Sequence, residues 1–487
     1  MNRLICLLTL TLLFSSLRTF GQKSLPYRAD GTFVVLQFND IHLDGNHKAG
    51  TDSSFKTMKT VVESVRPDLV VLNGDIVTEK AGADKVFGEI VRRMNSQKVP
   101  FVLTMGNHDP EVMSKSAIYD ILETSPYYVG SRGPEDLAPS MGNCFITLTD
   151  KDGKTEGVLY FLDSNDYHPN KFVQHYDWIH FDQIAWYRDV SEGITRANGG
   201  QALPALMFFH IPIPEFEWID GDDRTFGHKA EEHGEILGIN SGLFASLIDM
   251  GDVMGIFTGH NHDNDEIGIN KGIALGYGRV TGHDAYGDLE RGGRVIKLYE
   301  GARKFDSWIV TPKGSEGIYY FPSGLNSIEE KEATYLPALK SETGGRGVAY
   351  NYYEGNFKMT SDITEHARVH SGTLPYFSIK EFARRDHFAY KYRTLIDIPE
   401  RGIYRFYTYS DDGSVLSIDG QTVVGNDGGH SALRAEGKVA LEKGLHLLEV
   451  SYFEDYMGEE LEIGFSSKTL TERPLPREIL FLPAGKE

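Results

Sequence analysis

Two cysteines in 487 residues, Cys6 and Cys144, leave little room for thiol chemistry. Removal of an N-terminal leader carrying Cys6 would leave Cys144 alone. No internal disulfide would then staple the chain, and core burial, helped by bound metal, must hold it. Basic side chains are also scarce, 49 against 70 acidic ones, for a formal net charge of −21. No basic patch interrupts that charge, and a surface this acidic repels polyanions, so no nucleic-acid partner is expected. Beyond the first twenty residues no apolar run is long enough to span a bilayer, so no transmembrane segment is expected in the mature chain. Internal repeats and low-complexity tracts are absent too.

What is present is an ordinary globular composition, 40% hydrophobic and 24% charged, in a chain long enough for two or three domains. Residues 1–22 stand apart. Asn2-Arg3, the apolar run Leu4 to Leu17 and the stretch Thr19-Phe20-Gly21-Gln22 read as a signal peptide cut near Gln22. Export to a periplasmic or extracellular space is therefore expected. Cys6 lies inside the apolar run and away from the cut, so no lipoprotein signature is present.

From Thr32 to about Leu298, short apolar runs alternate with amphipathic segments. Phe33–Phe38, Leu69–Leu72, Phe101–Met105, Val158–Leu162, Ala205–Phe209 and Gly255–Thr258 read as buried strands. Between them Phe55, Met58, Val62 and Val65 recur at helical spacing, as do Phe87, Ile90, Val91 and Met94. Ser241 reads as the cap of a further helix carrying Phe244, Leu247 and Ile248. This alternation predicts a layered α/β fold with strands covered on both faces. A domain is placed at 28–310, a linker at 311–334 and a second domain at 335–487. In that last domain the runs Tyr390–Ile398, Ile403–Ser410, Val415–Ile418, Leu445–Phe453 and Leu461–Phe465 are β-branched and aromatic. The intervening Asp412-Gly413, Asp419-Gly420 and Lys443-Gly444 read as hairpin turns, which predicts an all-β sandwich or barrel.

Chemistry collects at the carboxyl ends of the first domain's strands. Asn39-Asp40-Ile41-His42 follows the first run, Asn73-Gly74-Asp75 the second, and Gly106-Asn107-His108-Asp109 the third. His210 ends the fifth run, and Gly259-His260-Asn261-His262 ends the sixth. One strand–helix–strand step separates Asp40 from Asp75, and another separates Asp75 from Asn107. Ligands of open α/β sheets gather at that edge. Carboxylate, amide and imidazole donors without a thiolate suit Mn, Fe or Zn without choosing among them. The set exceeds what one ion needs, and Asp75, in its middle, is suited to bridge two.

Asp-x-His, Gly-Asp, Gly-Asn-His-Asp, a lone strand-end His and Gly-His-x-His, in that order, resemble the calcineurin-like metallophosphoesterase family from about Phe33 to Leu298. The resemblance implies a layered β-sandwich flanked by helices and two divalent metal ions. It assigns Asp40, His42, Asp75 and His262 to one ion, and Asp75, Asn107, His210 and His260 to the other. It makes His108 the non-ligand histidine that stabilises or protonates the leaving oxygen, oriented by Asp109. His210 to Phe216, Asn240 to Phe244 and the stretch 276–289 are similar to a purple-acid-phosphatase-like branch. Purple enzymes carry a tyrosine shortly after the Gly-Asp aspartate and open on Gly-Asp. Here neither is found, so no tyrosinate-to-iron colour is expected.

In the last third, Tyr352-Tyr353-Glu354-Gly355, Ser410 to Ser414, Ile418-Asp419-Gly420 and Gly444 through Phe453 resemble the protective-antigen-type β-sandwich, over about Tyr350 to Ser466. That resemblance implies glycan binding and, through Asp411 and Asp412, calcium; a plain turn, its carboxylates bonded to their own backbone, is the other reading of Asp411-Asp412-Gly413. The leading expectation is an exported enzyme that hydrolyses phosphate esters by attack of metal-bound hydroxide, monoesters favoured. The alternatives are a phosphodiesterase and a non-catalytic glycan-binding surface protein built on a metallophosphoesterase scaffold.

Overall fold

The computed structural model describes residues 23–173, 176–219, 223–230, 236–365 and 368–484. The predicted signal peptide, residues 1–22, lies outside them. The chain divides into two compact units. The first comprises residues 1–221, 227–303 and 309–315, and the second 222–226, 304–308 and 316–487. Among the described residues no helix is long and apolar enough to cross a membrane.

In the first unit, all six expected strands form where uninterrupted apolar runs occur, and five more accompany them. The strands are β1 Lys23–Pro26, β2 Thr32–Phe38, β3 Leu69–Asn73, β4 Phe101–Thr104, β5 Cys144–Thr149, β6 Thr155–Phe161, β7 Ala205–Phe208, β8 Val253–Thr258, β9 Ile267–Asn270, β10 Ile273–Tyr277 and β11 Gly293–Tyr299; β1, β5, β9, β10 and β11 were not among those expected. The helices are α1 Lys48–Val65, α2 Ala83–Gln97, α3 Asp109–Val112, α4 Lys115–Leu122, α5 Phe181–Ala197 and α6 Leu243–Met250. Strands β2, β3, β4, β7 and β8 are buried along their whole length, as continuous apolar strands must be. They belong to two sheets. One runs β1-β5-β6-β7-β8-β10-β9, with β6, β7, β8 and β10 parallel neighbours. The other contains the run β11-β2-β3-β4, in which β2, β3 and β4 are parallel and β11 is antiparallel to β2.

Helix α2 buries the stripe expected of it, Phe87, Ile90, Val91 and Met94, and α1 buries Phe55, Met58 and Val62 of its own, while Val65, at the helix end, is only partly buried. Ile184, Tyr187 and Val190 of α5 join one hydrophobic cluster with Tyr160, Met207 and Ile256. Helix α6 departs from expectation at its start. Gly242 in a left-handed conformation, rather than Ser241, occupies the cap, and it supplies no side-chain hydrogen bond. The edges of the two sheets are tied where β3 and β4 end. Asn73 Nδ2 donates to the carbonyls of Phe209 and Phe257, at 3.1 and 3.3 Å, and its Oδ1 accepts from Thr104 Oγ1 at 2.8 Å. Gln37 Nε2 adds a bond to the Thr258 carbonyl at 2.8 Å. These buried polar side chains are fully enclosed, and each bond spares an otherwise orphaned group.

The second unit is built mainly of antiparallel strands. One sheet is built around Phe388–Ile398 and Gly444–Glu454, joined by Ser414–Ile418, Gln421–Asn426, Val348–Glu354 and Leu480–Pro483. The other orders Leu433–Leu441, Gly402–Ser410, Leu461–Ser467 and Arg473–Pro474. Of the three expected hairpin turns only Asp419-Gly420 is one, with positive φ at both residues. At Asp412-Gly413 and Lys443-Gly444 the chain instead crosses between the two sheets. An Asp-Gly pair supplies the tight bend in either case, and pairing partners decide which it becomes. The segment 311–334, expected as linker, contains strands Tyr319–Phe321 and Leu325–Asn326. Helix Ser327–Glu332 follows, capped by Asn326, which accepts from the amides of Ile328 and Glu329. Within this unit Nη1 of the buried Arg405 donates to both carboxylate oxygens of Asp223, at 2.8 and 2.9 Å.

Candidate metal centre

The turns after β2 and β3 zip together: the amides of Ile41 and His42 both donate to the Asp75 carbonyl, at 2.9 and 3.0 Å. Holding the two turns this close requires unusual backbone. Asp40, His42, Asp75 and His260 all adopt positive φ, between 46° and 76°. An L-residue with a Cβ meets its own carbonyl there, at a cost of about 1–2 kcal/mol each. Four such residues at one locus indicate that surrounding structure enforces the geometry. Gly74, at φ 85°, has a different constraint, since a Cβ there would sit 2.3 Å from the His210 ring. Gly74→Ala is accordingly expected to destabilise the protein by about 2 kcal/mol or more and to displace His210. Urea unfolding checks the first effect and metal binding the second.

Two donor triplets result, Asp40 with His42 and His262, and Asp75 with His210 and His260. All six residues are buried, and within each triplet one ligand atom per residue lies within 4.8 Å of the others. His42 Nε2 is 3.1 Å from His262 Nε2. His262 Nε2 lies 3.4 Å from Asp40 Oδ1. Asp75 Oδ2 is 3.1 Å from His210 Nε2 and 3.8 Å from His42 Nε2, so this one carboxylate reaches toward both triplets. The Nδ1–H of His210 donates to the Asn73 carbonyl at 2.8 Å, which directs Nε2 at Asp75. The Asp40 carboxylate is oriented by the His260 amide, 3.1 Å from each oxygen, and by Asn39 Nδ2.

Electrostatics define what such a site demands. Burial disfavours charge on Asp40, yet His262 and His210 outweigh it and keep this carboxyl below its ordinary range. Asp75, equally enclosed, is held well below its ordinary range by His210 and His42. Burial drops His42 to about 4, so its ring is neutral and free to ligate. At His210 burial is overcome by the Asp75 charge, and the pKa rises to about 9. Two enclosed carboxylates thus recruit a proton onto a histidine, the positive charge that a metal ion would supply instead. Among the described residues, Asn107 Oδ1 and His262 Nδ1 are buried without a hydrogen-bond partner. An amide oxygen in that state fits a hard or borderline cation.

His108 and Asp109 behave differently from expectation. Asp109 does not orient His108. Its fully buried carboxylate accepts from the amides of Gly106, Asp75 and Ile76, at 2.9, 3.1 and 2.9 Å, and so clasps the two turns. Burial and the Asp75 charge push its pKa up to about 6. The group facing His108 Nδ1 is Glu111, 3.0 Å away on the following turn. His108 itself is half-buried; burial works against its charge, but Asp75 and Glu111 raise its pKa above the ordinary value. Two other loop histidines stay with neighbours of their own: His168 stacks on Trp178 at 4.8 Å, and His283 Nε2 is 3.0 Å from Thr57 Oγ1. Glu111 has no signature in the sequence because it lies beyond the strand end, on the turn that follows. Tyr167, whose hydroxyl accepts from Asn107 Nδ2 at 3.1 Å, has none either.

A third cluster lies in the second unit, where Asp411 and Asp412 meet Glu454. Asp412 is in a left-handed conformation, and its carboxylate accepts from the amides of His430 and Asp455, at 3.0 and 2.7 Å. Asp411 accepts from the Ala432 amide at 3.1 Å. Glu454 is fully buried, its Oε1 without a partner among the described residues, and burial beside Asp412 raises its pKa to about 8. Both carboxylates accept from amides of other segments, 430–432 and 455, and so brace neighbouring loops.

Comparison with known proteins agrees with this division. Residues 33–264 match the sequence model of the calcineurin-like phosphoesterases, and residues 345–473 match that of the PA14 domain. The Arabidopsis thaliana protein named "Probable inactive purple acid phosphatase 29" is 29% identical over 322 residues, 60% of this chain and 82% of its own. A solved dimetal phosphatase from Danio rerio is 12% identical, covering 58% of this chain and 98% of its own, with a TM-score of 0.41. A PA14 sugar-binding domain from an RTX adhesin is 16% identical over 29% of this chain and all of its own, with a TM-score of 0.25.

Proposed function

From a chain that carries a calcineurin-like phosphoesterase domain followed by a PA14 domain, we propose an exported dinuclear-metal hydrolase of phosphate esters, with monoesters favoured. The observation that carries this reading is the buried pair of donor triplets sharing the reach of Asp75. Asp40, His42, Asp75 and His262 would hold one ion, and Asp75, Asn107, His210 and His260 the other. A pair of divalent ions, when bound, supplies Lewis acidity toward phosphoryl oxygens and lowers the pKa of water. The chain's residues do the rest. His210 and Asp40 are fixed by backbone partners, so the pocket is organised before substrate arrives. His108 turns Nδ1 to Glu111, leaving Nε2 to give a proton to the departing oxygen.

The test is metal-stripped protein reconstituted with Mn, Fe or Zn and assayed on para-nitrophenyl phosphate beside bis-para-nitrophenyl phosphate. Metal-dependent release with higher kcat/KM on the monoester is expected. Higher kcat/KM on the diester makes the enzyme a phosphodiesterase, and silence on both rejects the enzymatic reading. The Arabidopsis relative's name, with its word "inactive", favours a second reading in which the fold is a scaffold and the second domain binds glycan.

For the second domain the proposal is a glycan-binding module with calcium at Asp411, Asp412 and Glu454. A carboxyl with a raised folded pKa stabilises the fold while both states are protonated. That stability is lost as pH climbs from the ordinary carboxylate range through about 8. Calcium, which must displace the Glu454 proton, is expected to raise the melting temperature of this domain more at pH 9 than at pH 6. Calorimetry with and without calcium checks it; an equal or absent shift at both values rejects the site.

A further inference from the structure

Among the seven candidate ligands of the first unit, Asn107 alone carries an amide, whose two ends are chemically opposite. Turned one way it offers an oxygen to a cation; turned the other it offers N–H groups that repel one. Asn107 Nδ2 donates to the Tyr167 hydroxyl at 3.1 Å, and Oδ1 is buried with no hydrogen-bond partner among the described residues. The hydroxyl is itself held in place. The Tyr167 ring stacks on Tyr176 at 5.5 Å, a backbone bridge joins these two residues, and Tyr176 meets the His260 ring edge-on at 4.7 Å. The loop carrying Tyr167 is anchored beside the same site, since Ser164 Oγ accepts from the Ile211 amide at 3.0 Å, next to His210.

We propose that Tyr167 is a positioning residue for Asn107: its hydroxyl captures the N–H end of the amide and so turns Oδ1 toward the Asp75, His210 and His260 triplet. The inference rests on the reading of Asn107 as a metal ligand. A partner that fixes a ligand's orientation changes metal affinity by roughly 10–100-fold. Removing the hydroxyl lets the amide turn, while an aspartate at position 107 has an oxygen at both ends and needs no such guidance.

The experiment is calorimetric titration of the metal-stripped full chain with Mn²⁺, for the wild type, Tyr167→Phe, Asn107→Asp and the double variant. Phenylalanine keeps the ring that stacks on Tyr176. Tyr167→Phe is expected to weaken one of two sites by about 10-fold or more, and to cost less than about threefold in the Asn107→Asp background. Equal losses in both backgrounds would make Tyr167 a packing residue and overturn the inference. So would a Tyr167→Phe chain that binds both ions like the wild type. A wild type that binds no metal defeats the reading of the site itself, and the inference with it.

Discussion

Replacing Asp75 by asparagine is expected to lower phosphate release by more than about 10³-fold and to strip the protein of at least one metal ion. The substitution is nearly isosteric. It can keep the bond that Asp75 Oδ1 accepts from the His108 amide at 2.9 Å, so the turn should hold. What it removes is charge at a carboxylate that reaches toward both triplets, 3.1 Å from His210 and 3.8 Å from His42. Without that charge, His210 loses the main influence that opposes burial and raises its pKa. Asp109, pushed up by burial and then by Asp75, falls back toward its ordinary range. Metal analysis beside an ester assay reads the outcome, and a variant within tenfold of wild type would place the chemistry elsewhere.

The second large effect is expected at His108. Its alanine variant should lose roughly 10²–10⁴-fold on an alkyl phosphate, whose departing alkoxide needs a proton. On para-nitrophenyl phosphate, whose departing oxygen is already stable as an anion, the loss should be much smaller. A general acid works only while protonated, and Glu111 helps hold the His108 pKa above its ordinary value. Glu111→Gln is therefore expected to move the alkaline limb of the rate profile to lower pH, with little change on the acid side. Equal losses on both esters in His108→Ala would reject proton donation as its role.

Much of this site was legible because its residues end strands. A buried parallel strand must be an uninterrupted apolar run, and the polar side chains just after it fall at the sheet edge, as Asp40, Asp75 and His210 do. The order β2-β3-β4 followed from two strand–helix–strand steps. Periodicity carries no information on which sheet a strand joins, so the separation of β7 and β8 from β2 and β3 had no signature. The same holds in the second unit, where Asp412-Gly413 and Asp419-Gly420 look alike in sequence and only one closes a hairpin. Left-handed backbone at Asp40, His42, Asp75 and His260 is also invisible, because tertiary contacts impose it against local preference. Asp109 was misassigned for a related reason. Adjacency suggested service to His108, but at a turn the neighbouring side chain points away, toward the amides it clasps. Glu111, one helical turn from His108, takes that place. Glu454 lies a long way along the chain from Asp411 and Asp412, and the antiparallel pairing of Ser414–Ile418 with Gly444–Glu454, Ser414 opposite Tyr452, brings it to them.

The central claim is that seven side chains from both sheets of the first unit hold two cations and make them act on phosphate esters. Titrating metal-stripped protein with Mn²⁺, while recording bound metal and phosphate release in the same samples, addresses it most directly. Binding should saturate at two ions per chain, and release from para-nitrophenyl phosphate should rise as the second site fills. Saturation at a single ion, or two bound ions with no phosphate released at any loading, would contradict it.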